Sequence, residues 1–186
     1  MKVIETELPG VVIIQPDVFQ DARGFFVETW NQRRYQQTGL AATFVQDNLS
    51  FSTRGVLRGL HFQHPHQQAK LVYVLQGEVF DVAVDIRRGS PTFGWWVGRT
   101  LSSDHHLQMY VPEGFAHGFC VTSEAALFVY KCTDFYHRHM EMSIRWDDPE
   151  IGIAWPIQTP ELSERDAAAP CLKEMAVDRL PQFEQK

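Results

Sequence analysis

Hydrophobic and polar positions alternate in short runs over the first 150 residues, and no long amphipathic helix is written there. Residues 11–14 predict an early strand, ended by Pro16. Asp21-Ala22-Arg23-Gly24 predicts a turn into a strand over 25–30. Residues 31–39 predict a short helix, with Asn31 as its N-cap and Gly39 as its stop. A further strand is expected over 44–50. Residues 55–77 read as two short strands joined by a polar loop, a hairpin-like unit whose second strand opens at Lys70. The clearest alternation lies over 78–86: Phe80, Val82, Val84 and Ile86 share one face, and Val79, Asp81, Ala83 and Asp85 share the other. Turn signals at 88–91, 112–114 and 123–124 separate strands expected over 92–101, 107–111, 115–121 and 125–133.

This many short strands in one stretch predicts an all-β fold, a double-sheet jelly roll with short peripheral helices. After Ile144 the texture becomes irregular, until 162–169 reads as a helix start in which Ser163 and Asp166 have near-capping-box spacing. No repeat or long linker divides the chain. The expectation is a single domain over 1–186, with its core jelly roll at about 40–145 and an irregular and helical segment at about 146–186.

Composition narrows the chemistry. A net charge of −6 argues against a general nucleic-acid or anionic-membrane surface. A small anionic ligand would need a local cluster of Arg and Lys. Cys120, Cys132 and Cys171 are odd in number and lack metal-ligand spacing, so they read as buried thiols of a reducing compartment. The N-terminal residues carry no long apolar run, and no window approaches the ~20 apolar residues of a membrane span, so the expected location is cytoplasmic.

The hairpin-like unit at 55–77 gathers Arg58, His61 and Lys70, which a core does not require. Period-2 spacing puts His61 on one face with Leu57, Gly59 and Gln63, and Arg58 on the other. An imidazole is the natural proton acceptor near neutral pH. His61, His64, His66 and His117 raise the question of metal, and residues 112–117 resemble the second half of a metal-binding cupin motif. The first half fails. After His64-Pro65-His66 come Gln67, Gln68, Ala69 and Lys70 where a Glu is needed, and an ammonium there would repel a divalent ion. No metal is expected. Tyr130 shares a face with Phe128 and Cys132; by spacing alone it is a core tyrosine, with a proton donor as the functional alternative. Asp166 alone would be a helix cap, and Arg23, Arg58 and Arg165 alone would be solvated charges.

Several segments closely resemble the dTDP-4-dehydrorhamnose 3,5-epimerase family. They include Asp21-Ala22-Arg23-Gly24-Phe25-Phe26, Val45-Gln46-Asp47-Asn48-Leu49-Ser50, the stretch 55–63, residues 82–87 and 89–94, Pro112-Glu113-Gly114-Phe115-Ala116-His117-Gly118-Phe119, Tyr130-Lys131 and residues 162–170. They run in order from about residue 4 to about residue 172. The resemblance implies a cupin-type jelly roll that works without metal or other cofactor, and a homodimer that exchanges N-terminal strand contacts. It implies that His61 is the general base, Asp166 its carboxylate partner, Tyr130 the proton donor and Lys70 the residue facing the sugar ketone. It also implies that Arg23, Glu28, Gln46, Asp47, Asn48, Arg58, His117 and Glu141 contact a dTDP-sugar, and that Tyr136 stacks on the thymine. Arg165 stands where many relatives carry Lys, and His137-Arg138-His139-Met140 departs from the family pattern. The activity implied is epimerisation at C3 and C5 of a 4-keto-6-deoxy sugar. The alternatives are epimerisation at one centre or on a related keto sugar, a non-catalytic sugar-nucleotide binder, and a metal-dependent cupin.

Overall fold

The strand Glu78–Asp85 (β8) buries both of its faces, which calls for a layer on either side of it. Val79 and Ala83 join the apolar cluster between two sheets, and Val82 and Val84 join a second cluster beneath the C-terminal segment. The computed structural model describes residues 1–184.

The remaining strands are β1 (Lys2–Glu5), β2 (Val12–Gln15), β3 (Val18–Asp21), β4 (Gly24–Val27), β5 (Gln46–Thr53), β6 (Leu57–Gln63) and β7 (Lys70–Gln76). After β8 come β9 (Trp96–Ser102), β10 (Gln108–Val111), β11 (Phe115–Val121), β12 (Ala125–Cys132) and β13 (Glu141–Ser143). One sheet has the order β1-β2-β10-β7-β12-β5 and the other β13-β6-β11-β8-β9, while β3 and β4 form a separate hairpin. All pairings between these strands are antiparallel. The expected double-sheet jelly roll is therefore present. Val72, Val74, Met109 and Phe128 from the six-stranded sheet meet Val97, Leu101, Phe115 and Phe119 from the five-stranded one.

The outer faces are covered too. The helix α1 (Gln32–Gln37) starts where Asn31 Oδ1 accepts the Arg34 amide, as its sequence predicts. Its buried Tyr35 packs with Val12, Ile14 and Leu71 on the six-stranded sheet, and the Tyr35 hydroxyl donates to Gln108 Oε1 at 2.7 Å. The five-stranded sheet is covered by the irregular segment, through Ile144, Ile151, Leu172 and Leu180. At about 1.5–3 kcal/mol for each buried side chain, before ordering entropy, these four anchor an otherwise loop-like stretch. That anchoring sets the short helix α2 (Glu164–Ala167), which Ser163 caps by accepting the Asp166 amide at 3.1 Å, beside β6.

Several boundaries differ from expectation. Residues 55–77 are not a hairpin: β6 pairs with β11 and β13, and β7 with β10 and β12, so the chain crosses from one sheet to the other through 64–69. Leu60 and Phe62 belong under the C-terminal segment and Val72 and Val74 between the sheets, so the two strands need different neighbours. The six-stranded sheet includes β1 and β2, upstream of residue 40. β9 starts only at Trp96, because 91–94 form a turn in which the hydroxyls of Ser90 and Thr92 donate to Asp85. β1, β3 and β13 were not foreseen. Among the described residues, no helix is long and apolar enough to cross a membrane. All three cysteines are free and buried.

Candidate active site

Two rows of cross-strand neighbours build one wall of a cavity. On the six-stranded sheet, Cys132 is flanked by Lys70 and Gln46, and Tyr130 by Val72 and Asn48. The two-residue period of β12 turns Phe128, Tyr130 and Cys132 inward, together with Gln46, Asn48 and Ser50 of β5. The opposite wall belongs to the five-stranded sheet, where His61 of β6 lies directly across from His117 of β11. Arg58 and Phe119 complete that wall, and Gln68, Tyr136 and Glu141 stand around it. The enclosed volume is about 380 Å³.

The polar groups of this cavity are arranged in pairs. His61 Nε2 lies 2.6 Å from Asp166 Oδ1, with the carboxylate side chain 4% exposed and the imidazole 27%. Burial alone would raise the Asp166 pKa, but the hydrogen bond and charge of His61, the Ser163 cap and the Gly59 backbone outweigh it and hold the carboxyl below the ordinary Asp value. With Nε2 given to Asp166, the neutral ring keeps its lone pair on Nδ1. His117 Nε2 stands 3.0 Å from both oxygens of Asp81, and both residues are buried. Burial pushes the Asp81 carboxyl up and the His117 imidazole down, each partner opposing the other's shift. Burial also lowers the Lys70 pKa, against Cys132, Glu141 and Asp81, which oppose the fall. Tyr130 is shifted upward, first by burial and then by Cys132 and Glu141, so its phenol keeps its proton. Glu141 accepts from Arg165 and, at 2.8 Å, from the Tyr136 hydroxyl. Arg58 Nε donates to Ser52 Oγ at 3.0 Å.

The predicted set divides. Gln46, Asn48, Arg58, His61, Lys70, His117, Tyr130, Tyr136 and Glu141 line the cavity, and Asp166 and Arg165 bond to residues that do. Arg58 was expected on the face away from His61. The β6–β11 register shifts between His117 and Phe119, and this irregularity brings both side chains to the same cavity. Asp47 does not reach it: lying between Gln46 and Asn48, it points to the outer face and pairs there with Lys131 at 2.9 Å. Glu28 is bound to Arg34 and Asn31 near α1. Arg23 sits at the tip of the β3–β4 hairpin with 89% of its side chain exposed, bonded to Asp21. Asp81 was missed as a site residue. The available signal was a carboxylate sharing a strand face with Val79 and Ala83, a face that proves fully buried.

The donors of the interior do not suit a resident cation. The Lys70 side chain lies in the same cavity as His61 and His117, and its ammonium would repel a divalent ion bound by them.

Residues 5–174 match a family model described as dTDP-4-dehydrorhamnose 3,5-epimerase. The chain is 56% identical over 168 residues to the dTDP-4-dehydrorhamnose 3,5-epimerase of Shigella flexneri, covering 89% of this chain and 93% of that one. A relative of the same name from Neisseria gonorrhoeae is 55% identical over 169 residues, which span 90% of this chain and about half, 52%, of that longer protein. Among solved structures, a dTDP-6-deoxy-D-glucose-3,5-epimerase from Legionella pneumophila, in complex with dTDP-4-keto-L-rhamnose, superposes with a TM-score of 0.97. It is 50% identical, with 99% of each chain covered. A match of this extent in sequence and backbone, over the same strands that build the cavity, places the chain in the dTDP-4-dehydrorhamnose 3,5-epimerase family.

Proposed function

We propose that the chain converts dTDP-4-dehydro-6-deoxy-D-glucose to dTDP-4-dehydro-L-rhamnose, inverting C3 and C5 during dTDP-L-rhamnose synthesis. The observation that carries this reading is the placement of His61 and Tyr130 on opposite walls of one cavity. Both carbons flank the C4 ketone, so loss of either proton gives a resonance-stabilised enolate. His61 takes the proton from one face, oriented by Asp166. The Lys70 ammonium stabilises the enolate oxygen, a fixed charge where negative charge develops. Tyr130 returns a proton from the other face, and the change of face inverts the carbon. Each acid–base step supplies about 3–5 kcal/mol, leaving much of the remaining barrier to electrostatics. The ketone supplies the acidity and Lys70 the positive charge, so the scheme calls for no cofactor.

Arg58 and Arg165 hold the diphosphate and Tyr136 faces the thymine, which reconciles a chain of net charge −6 with an anionic ligand. The working form is a homodimer. Phe19, Phe25 and Phe26 on the β3–β4 hairpin and Leu49 and Phe51 on β5 are all about 58–69% exposed, an unusual apolar display for a monomer. In that dimer the hairpin brings Arg23 to the partner's cavity. The three buried free thiols support a cytoplasmic location.

Incubation with dTDP-4-dehydro-6-deoxy-D-glucose in deuterated water, followed by NMR, tests the reading. The wild-type chain should incorporate deuterium at C3 and C5 and yield the L-rhamno product; incorporation at one carbon only would identify a single-centre epimerase. His61→Ala should abolish exchange at both carbons while nucleotide binding stays near normal, and wild-type exchange in that variant would sink the base assignment. Tyr130→Phe should slow product formation more than proton removal; an equal loss in both would make Tyr130 a positioning residue.

A further inference from the structure

The geometry points to a second, surface site in this chain: a divalent transition-metal site formed by His66, Asp134 and His137. None of the three lines the catalytic cavity. Their ligand atoms all lie within 4.8 Å of one another. His66 Nδ1 stands 3.3 Å from Asp134 Oδ2. Two ligands of a tetrahedral ion with bonds of about 2.0–2.2 Å are separated by about 3.3–3.5 Å, so this pair already has the required spacing. The His66 and His137 rings stack at 4.3 Å with 28° between their planes, which puts a second imidazole beside the first. The His137 ring must turn out of this stack for its lone pair to meet the other two ligand atoms, which lie within 4.8 Å of it.

The surroundings hold the three groups in place without using them up. Asp134 Oδ1 accepts the Phe135 amide at 2.7 Å, leaving Oδ2 for a ligand bond. Gln63 ties the two loops together: its Nε2 donates to the His66 and Phe135 carbonyls, and its Oε1 accepts the His137 amide. Gln68 Nε2 donates to the Asp134 carbonyl at 2.8 Å. The ligands thus come from two loops already fastened to one another. His66 holds φ at +64°, a backbone region that a non-glycine residue keeps only when its surroundings enforce it.

Two imidazoles and one carboxylate suit Zn²⁺, Ni²⁺ or Cu²⁺ rather than Mg²⁺ or Ca²⁺, which prefer oxygen. All three side chains are at least partly exposed, so water can complete the coordination. The bound ion would join the 64–69 crossover to the loop that carries Tyr136.

Isothermal titration of the whole chain with Zn²⁺ tests this, alongside melting curves with and without Zn²⁺. The expected result is one saturable site per chain, a rise in melting temperature with metal, and affinity that falls as the pH is lowered, because imidazole ligates only when neutral. His66→Ala and His137→Ala should each weaken binding more than about tenfold. His139→Ala, at an exposed position two residues from His137 in sequence and outside the ligand set, should leave it unchanged. Circular dichroism of each variant confirms that the fold is retained. No saturable binding, equal binding in the His66→Ala/His137→Ala double variant, or an equal loss in His139→Ala would overturn the proposal.

Discussion

Asp166 ties folding to the proposed chemistry through one short contact, with His61. The carboxylate lies on a four-residue helix that could not stand alone in water, and it meets His61 only because the apolar C-terminal segment is fastened over the five-stranded sheet. Its lowered pKa sets the sign of a pH effect. A group that ionises more readily folded than unfolded contributes stability above its unfolded value, near 3.8, and loses that contribution as pH falls through its folded value. Wild type should therefore be more stable than Asp166→Asn near neutral pH, with a gap that narrows as pH falls below 3.8. Melting temperatures of both proteins across pH 2–5, sampled finely, check this; a gap that widens as pH falls below 3.8 would mean that the pair does not favour the carboxylate. The pairing itself was not readable from spacing, since 105 residues separate the partners and Asp166 alone looks like an ordinary cap. Family resemblance supplied it, and it supplied nothing for Asp81, whose only sign was a charge on a buried strand face.

At the scale of elements, the contact between β6 and β11 fixes the cavity wall that carries His61 and His117. A Cβ on Gly59 would lie 2.5 Å from the Gly118 Cα and 2.9 Å from the His117 carbonyl, and Gly59 holds φ at +130°. Two backbones thus touch where His61 and His117 are set side by side. Gly59→Ala should cost about 1–3 kcal/mol or more from overpacking, lower the melting temperature by about 2–10 °C, and slow deuterium exchange at C3 and C5. Wild-type stability and exchange would show that this close approach does not set the wall. The same place marks the limit of pattern reading. Alternation assigns faces along a regular strand and succeeded for β8 and β12, but a register shift breaks its parity, so Arg58 was assigned to the wrong side. Alternation also says nothing about partners: β6 and β7, adjacent in sequence and joined by six residues, lie in opposite sheets. That separation lets a short stretch supply His61 to one wall and Lys70 to the other.

At the scale of the whole molecule, the unassigned group is Arg23. Family resemblance makes it a substrate contact, yet within its own chain it projects from an exposed aromatic hairpin and bonds only to Asp21 among the described residues. An ion pair that exposed is worth little, so it does not explain why the arginine is there. The proposed dimer resolves the conflict if the hairpin serves the neighbouring cavity, and a mixing experiment separates that arrangement from service in its own. Arg23→Ala should raise KM for the dTDP-sugar, and His61→Ala should abolish turnover. In a mixed dimer of the two variants, one cavity has an intact His61 from its own chain and an intact Arg23 from the partner. Co-refolding equal amounts of the two variants should leave about a quarter of all cavities complete, because about half of the dimers are mixed and each has one such cavity. Measured below the KM of Arg23→Ala, the mixture should then exceed the summed activity of the separate variants. If Arg23 serves its own chain, each cavity in the mixed dimer lacks one residue, and co-refolding adds nothing to that sum.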